Sequence, residues 1–166
     1  MLESRDMDIA VRKTRGFSLV ELVIVVVIIG IIGAIAIPRL SRGSAAASDN
    51  ALRGDLAVLR RAIELYAAEH DNTFPAEATI ANQLTQFTDG AGNTNATKTA
   101  VFIYGPYLKE IPPLPVGARK NSRGIANADA AGIGWIYVVN ASGQGEIKAN
   151  TGAAEKDASG TLYNTY

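Results

Sequence analysis

Residues 12–21 read RKTRGFSLVE, and they lead into an apolar run that continues to Ile37. Between Phe17 and Ile37, 21 residues in all, Glu21 is the only charged residue. A helix of that length rises about 30 Å, which matches the hydrocarbon core of a bilayer. An ionisable residue inside a membrane-length segment is costly, so Glu21 is a functional candidate.

The junction between Gly16 and Phe17 resembles the cleavage site of prepilins, the precursors of type IV pilins and of the pseudopilins of type II secretion. Basic residues precede a single glycine, an aromatic residue follows it, and a carboxylate stands at the fifth place after the glycine. The resemblance implies that a prepilin peptidase cuts between Gly16 and Phe17 and methylates the new N-terminus of Phe17. Pro38 stands where many pilins also have proline, and proline inside a helix predicts a kink.

Glu21 has two explanations, and both can hold. The resemblance implies an assembly role, in which the Glu21 carboxylate pairs with the Phe17 amine of a neighbouring subunit. An unpaired charge among apolar helices is heavily penalised, so such a pair would fix axial register as well as attraction. The simpler explanation is that Glu21 complements the positive end of its own helix, which is worth about 0.3–1 kcal/mol.

The charges around the apolar run indicate its orientation. Arg12, Lys13 and Arg15 should keep the N-terminal side in the cytoplasm, so that the C-terminal part crosses the membrane. The resemblance to prepilins implies that this is the inner membrane and that the C-terminal part is periplasmic. A secretory signal peptide or a plain signal anchor is the alternative, but the run is long for a signal peptide and no small-residue cleavage site follows it. The expected segments are a prepilin leader at 1–16, a single transmembrane and assembly helix at 17–40, and a periplasmic pilin-like domain at 41–166.

A second helical pattern follows Pro38, so this proline is expected to kink the helix rather than end it. Apolar residues recur there at spacings of four, three, four and three, which predicts the buried face of an amphipathic helix over roughly 41–70. His70 is expected at the C-terminal end of this helix, where a cation is favoured. The predicted buried face comprises Leu52, Leu56, Leu59, Ile63 and Tyr66.

The remaining sequence predicts a small sheet. A strand over 135–140, rich in aromatic and β-branched residues, a turn at 142–145 and a return strand over 146–149 predict a β-hairpin. The predicted fold class is therefore α+β and pilin-like. Its long kinked helix, with a transmembrane half and an amphipathic half, is expected to pack on a small antiparallel β-sheet.

Four further segments have weaker patterns. Residues 77–87 are compatible with a short helix, whereas 88–99 and 119–132 are polar and rich in turn-forming residues, which predicts loops. The polar stretch from 151 to 166 is expected to be loosely ordered.

Several short motifs are similar to the major pseudopilins of type II secretion. That resemblance implies a structural subunit of a pseudopilus, with copies of itself, the prepilin peptidase, the inner-membrane assembly platform, minor pseudopilins and membrane lipid as partners. A type IV pilin or minor pilin for adhesion, motility or DNA uptake is the alternative. The motifs are Phe74-Pro75, GPYLKEIP at 105–112, GWIY at 134–137 and GEI at 145–147.

The composition of the chain argues against catalysis, metal binding and nucleic-acid binding. The chain has no cysteine and one histidine, so it offers no disulfide framework, no thiolate metal site and little for catalysis. Residues 17–166 carry twelve basic and thirteen acidic residues, a balance that does not favour nucleic-acid binding. We therefore expect no enzyme activity, no catalytic residue and no metal site, with a membrane-anchored enzyme as the remote alternative.

Calcium stays open as a cofactor. Major pseudopilins usually bind calcium in a C-terminal loop with well-placed aspartates. In this sequence Asp157 is the only aspartate after Asp129, whereas oxygen-rich cation sites need several ligands.

Overall fold

The structure of the protein, a computed structural model, describes residues 16–166. It divides between Leu40 and Ser41 into two units, and helix α1, Leu19–Glu69, begins in the first unit and ends in the second. The helix continues through Pro38, as the sequence predicts. The kink at Pro38 stays a prediction.

The C-terminal half of α1 supplies one side of the core of the second unit. The predicted apolar face is confirmed, because each of its five residues is at most 2% exposed. These side chains share one cluster with Trp135, Tyr137 and Ile147 from the sheet. The helix of the second unit is therefore stabilised by the sheet it covers, as expected for an amphipathic helix.

The predicted β-hairpin is also confirmed. Strand β4, Ile133–Val139, pairs antiparallel with strand β5, Gly145–Ala149. Side chains alternate between the two faces of a strand, so Trp135 and Tyr137 both point into the core. The α+β fold class predicted from the sequence is confirmed by these elements together with α1.

Strand β3, Gly124–Ala126, pairs parallel with β4, so the sheet is mixed rather than purely antiparallel. It lies in the segment predicted as a loop, and that prediction is wrong for these three residues. A methyl group at Gly124 would lie 2.7 Å from the Gly132 carbonyl oxygen, so the close return of the chain needs glycine here. Parallel strands usually need a long crossover, and this one is short because β3 is only three residues long.

A short helix and a two-stranded ribbon follow α1 in the sequence and precede the three-stranded sheet. Helix α2, Ile80–Thr85, falls inside the segment that the sequence allowed as a short helix. Strands β1, Phe87–Thr88, and β2, Thr94–Asn95, pair antiparallel, so the loop predicted over 88–99 contains a two-stranded ribbon. The ribbon continues on its other side as a bridge between Thr88 and Tyr104.

The expectation of a loosely ordered tail is wrong. Lys156 and Leu162 form an antiparallel bridge, and a 3-10 turn follows at Tyr163–Thr165. Polar side chains of α1 hold this segment in place, as described below.

Leu59→Ala is expected to lower the free energy of unfolding by about 2–5 kcal/mol, because a fully buried leucine leaves a cavity when it is truncated. Its neighbour Val58 is 50% exposed, so Val58→Ala provides the matched control and should have a much smaller effect. Urea denaturation followed by circular dichroism measures both. Equal losses in the two variants would contradict the assignment of the buried face.

Candidate processing and assembly site

The predicted cleavage junction lies in the non-helical segment that precedes α1. Gly16, Phe17 and Ser18 have no regular secondary structure, and the Phe17 side chain is 76% exposed. A Cβ atom added at Gly16 would meet no heavy atom within 4 Å. The peptide bond between Gly16 and Phe17 is therefore accessible, and exposed irregular segments are the usual sites of proteolysis.

Glu21 lies in the first turn of α1, one turn after this junction. Helical hydrogen bonding begins at Ser18, whose carbonyl oxygen accepts from the Leu22 amide at 3.1 Å. The positive end of the helix favours a carboxylate in this turn. Because Glu21 is also exposed, its carboxylate is available to a neighbouring molecule, and both explanations of this residue remain compatible with its position.

The segment Leu19–Ile37 is, within residues 16–166, the one helical stretch long and apolar enough to cross a membrane. Fourteen of its large apolar side chains are exposed. Fully burying one such side chain is worth about 1.5–3 kcal/mol, and these are 47–79% exposed, so the sum is roughly 10–25 kcal/mol. That sum is comparable with or larger than the stability of a whole folded domain, so surroundings of lipid or other helices are strongly favoured for this surface.

Residues 11–37 match the family model described as the prokaryotic N-terminal methylation motif. The match supports a type IV pilin-like prepilin. It includes Gly16, Phe17 and Glu21 and ends one residue before Pro38. The motif implies processing by a prepilin peptidase and pilin-like assembly into filaments, and it is typical of structural proteins rather than enzymes. No curated protein and no solved structure matches the chain.

Pro38 was the remaining predicted site residue. It lies inside α1, well past the junction, so the structure groups Gly16, Phe17 and Glu21 at the start of the helix and leaves Pro38 apart from them.

A second polar cluster, which sequence reasoning missed, joins α1 to the tail of the chain. We call it the C-terminal clasp. Its members on the helix are spaced four and seven residues apart, which places them along one side of α1. The clasp comprises Asp49, Arg53 and Arg60 of α1 with Asp157, Tyr163 and Tyr166 of the tail.

Direct hydrogen bonds hold the clasp together. The Tyr163 hydroxyl donates to Asp49 at 2.6 Å, and Arg53 donates to Asp157 at 3.1 Å. Arg53 also donates to the Tyr166 hydroxyl at 2.7 Å and lies over the Tyr166 ring, 5.0 Å from its centre. Hydrogen bonds with one ionised partner are stronger than neutral ones, and the cation–π contact adds to them.

Asp157 is the most heavily hydrogen-bonded member of the clasp. Its carboxylate accepts from the Ser159 and Thr161 amides at 2.8 Å each, and from the Tyr166 hydroxyl. The hydrogen bonds from Tyr166 and Ser159 hold the pKa of Asp157 well below its ordinary value, because they favour the ionised form.

The surroundings of Asp157 do not fit a calcium ion. The atoms around its carboxylate are donors, including the Arg53 guanidinium, whereas calcium needs several oxygen acceptors. Within residues 16–166 no group of three or more histidine, cysteine, aspartate or glutamate side chains could hold a metal.

The clasp should make the folded state sensitive to acid. Since the pKa of Asp157 is lower in the folded state than in the unfolded chain, its contribution to stability is present above the unfolded value, about 3.9, and is lost as the pH falls below it. Asp157→Asn should therefore lower stability at pH 7 and reduce the further loss between pH 5 and pH 3. Urea midpoints at the three pH values test this.

The matched control for that series is Glu64→Gln, which changes an exposed carboxylate on the same helix. It should follow the pH dependence of the unmodified chain. If Asp157→Asn also follows it, Asp157 does not supply the acid sensitivity.

Proposed function

We propose that this chain is a structural subunit of a type II secretion pseudopilus. A prepilin peptidase would cut between Gly16 and Phe17 and methylate Phe17. The subunit would wait in the inner membrane and would then be extracted into a helical filament that helps drive protein export. The observation that carries the proposal is the exposed apolar helix beginning at Leu19, directly after the accessible junction.

The apolar helix is suited both to the membrane and to the filament into which the subunit would be extracted. In the membrane its side chains contact lipid, and in a filament they would contact the same helix of other subunits, so the surface stays out of water throughout. Glu21 is the one charge that this exchange must accommodate. A Phe17 amine on a neighbouring subunit would neutralise it, and the new amine exists only after cleavage.

The short motifs that are similar to those of major pseudopilins support the proposal, because residues from different motifs contact one another in the fold. The Tyr137 hydroxyl donates to the Pro75 carbonyl oxygen at 2.9 Å, and the Trp135 indole donates to the Pro112 carbonyl oxygen at 2.8 Å. Gly145 lies against the Tyr137 ring, where a side chain would not fit. Segments that are far apart in sequence thus form one packed unit, which favours a shared fold over chance similarity.

The proposed segments follow from the same cycle. Residues 1–16 would be the leader, which lies outside the described residues apart from Gly16, and residues 17–40 would be the membrane and assembly helix. Residues 41–166 would form the periplasmic domain, with the N-terminal side cytoplasmic before cleavage. The proposed partners are copies of the subunit, the peptidase, the inner-membrane assembly platform and minor pseudopilins.

The test is deletion of the gene in its native host, combined with mass spectrometry of the subunit. A pseudopilin predicts loss of protein export with normal surface motility, and a mature N-terminus at methylated Phe17. Normal export with lost motility, adhesion or DNA uptake would overturn the pseudopilus in favour of a type IV pilin. An N-terminus elsewhere would overturn both.

A further inference from the structure

His70, the one histidine of the chain, is buried where α1 ends. Its ring stacks on that of Tyr66, with centroids 3.9 Å apart and planes 5° apart. Nδ1 lies 2.8 Å from the Tyr66 carbonyl oxygen, and Nε2 lies 3.0 Å from the Asp89 carbonyl oxygen. Carbonyl oxygens only accept hydrogen bonds, so both contacts are hydrogen bonds only when both ring nitrogens carry a proton.

The contact with Tyr66 assigns the first proton. The His70 amide donates to Ala67 rather than to Tyr66, so the Tyr66 carbonyl is one of the acceptors that the end of a helix leaves without its usual partner. Nδ1–H caps it. The proton on Nδ1 is therefore present in both the neutral and the charged ring.

The second nitrogen has two alternative partners. The Thr88 hydroxyl lies 3.1 Å from Nε2, and a hydroxyl can donate as well as accept. When the ring is neutral, Nε2 accepts from Thr88 and makes no hydrogen bond to the Asp89 carbonyl. When the ring is charged, Nε2–H donates to that carbonyl.

We propose that His70 is a proton-operated latch that fastens the turn at 89–93 to the end of α1. This turn is closed by the Gly92 amide, which donates to the Asp89 carbonyl oxygen at 3.0 Å, and by the Asn93 amide, which donates to the Asp89 carboxylate at 2.9 Å. The charged ring adds a charge-assisted hydrogen bond to the same residue. Loss of the proton removes the hydrogen bond that joins His70, at the end of α1, to the Asp89 carbonyl.

Several other titratable groups surround the ring. Hydrogen bonds from Asn93, with a smaller contribution from His70 itself, lower the pKa of the Asp89 carboxyl. Burial raises the pKa of Tyr66 and of Tyr107, whose hydroxyl donates to Glu69. The centre of the Tyr104 ring lies 5.0 Å from that of His70, with the two planes tilted by 55°. Asp71 follows in the turn that ends α1. Histidine is the side chain whose ordinary titration lies between pH 5 and 8.

The latch also reaches an exposed part of the surface. The Thr88 backbone pairs with Tyr104 through two hydrogen bonds of 3.0 and 3.1 Å. The segment just before Tyr104 presents Val101 and Ile103 to solvent, 63% and 48% exposed. The pair of Thr88 and Tyr104 therefore places the latch beside this apolar segment.

The experiment uses the full chain in detergent micelles, labelled with nitrogen-15 at histidine, at pH 5.5 and pH 8. Nuclear magnetic resonance should show protons on both ring nitrogens at pH 5.5 and on Nδ1 alone at pH 8. The Gly92 and Asn93 amides, compared with intrinsic exchange rates, should lose protection roughly tenfold or more between pH 5.5 and pH 8. In His70→Gln, which cannot titrate, their protection should be the same at both pH values.

Thr88→Val removes the donor that serves the neutral ring and so favours the charged ring, which should reduce the loss of protection at pH 8, while Thr88→Ser should not. A ring that is still neutral at pH 5.5, a single proton on Nε2 at pH 8, or an equal pH response in His70→Gln would overturn the latch. The ring signals of the unmodified chain decide the matter even if a variant fails to fold. The latch lies wholly within residues 41–166, so its failure would leave the proposed function untouched.

Discussion

Glu21→Leu is expected to abolish filaments while the subunit remains in the membrane at normal levels or above. Insertion should not suffer, because the substitution removes a charge from an apolar segment. Assembly should fail, because the proposed partner of the Phe17 amine is gone. Breaking a buried ion pair by removing one partner costs about 3–5 kcal/mol, which is more than a hundredfold for each contact between subunits.

The measurement is the yield of sheared filaments set against the amount of membrane-bound subunit. Glu21→Asp should be intermediate, since it keeps the charge on a shorter side chain, and Ser18→Ala should assemble normally as an uncharged change at the same end of the helix. Filaments at normal yield in Glu21→Leu would refute the pairing. Failure caused only by loss of the subunit from the membrane would refute it as well.

Gly16→Phe is expected to leave the full precursor uncut in the membrane. The structure has open space at this position, so the substitution should not disturb the chain itself. The obstacle would arise in the peptidase, which must accommodate the residue before the cut bond. Without cleavage the nitrogen of Phe17 stays in a peptide bond and carries no charge, so filaments should be lost as completely as in Glu21→Leu.

Mass spectrometry of membrane-extracted subunits tests this, since the uncut chain is heavier by residues 1–16 and unmethylated at Phe17. Ser4→Phe, a bulky change elsewhere in the leader, should be processed normally. Normal cleavage in Gly16→Phe, or filaments built from uncut subunits, would show that Gly16 does not define the site.

The parts of the fold predicted correctly are those that local patterns determine. The spacing from Leu52 to Tyr66 repeats with the period of a helix, and the buried face follows from that period alone. The β4–β5 hairpin needs only a turn between two strands of suitable composition. The apolar run is similarly evident from composition, whereas the candidate site at its start came from the resemblance to prepilins and stays a prediction.

The parts that were missed depend on partners far away in the sequence. Residues 124–126 have no strand pattern of their own, and they form β3 because β4 offers a free edge beside them. The tail was expected to be loosely ordered because it is polar, yet its polar side chains form the hydrogen bonds that attach it to α1. Asp157 bonds to Arg53, and Tyr163 bonds to Asp49, in each case more than one hundred residues earlier in the chain. The local sequence pattern of neither segment predicts these long-range contacts.

The clasp has a consequence for the order in which the molecule is made. Asp49 and Arg53 leave the ribosome more than one hundred residues before their partners Tyr163 and Asp157. Closing so long a loop costs little more entropy than closing one half its length, so distance is a small thermodynamic burden. The delay during synthesis matters more than the entropy of loop closure. Synthesis adds about 5–20 residues each second, so the tail emerges several seconds after the helix. During that interval Asp49 and Arg53 lack their partners from the tail. A chaperone that covers this side of the helix would therefore act before the last dozen residues emerge.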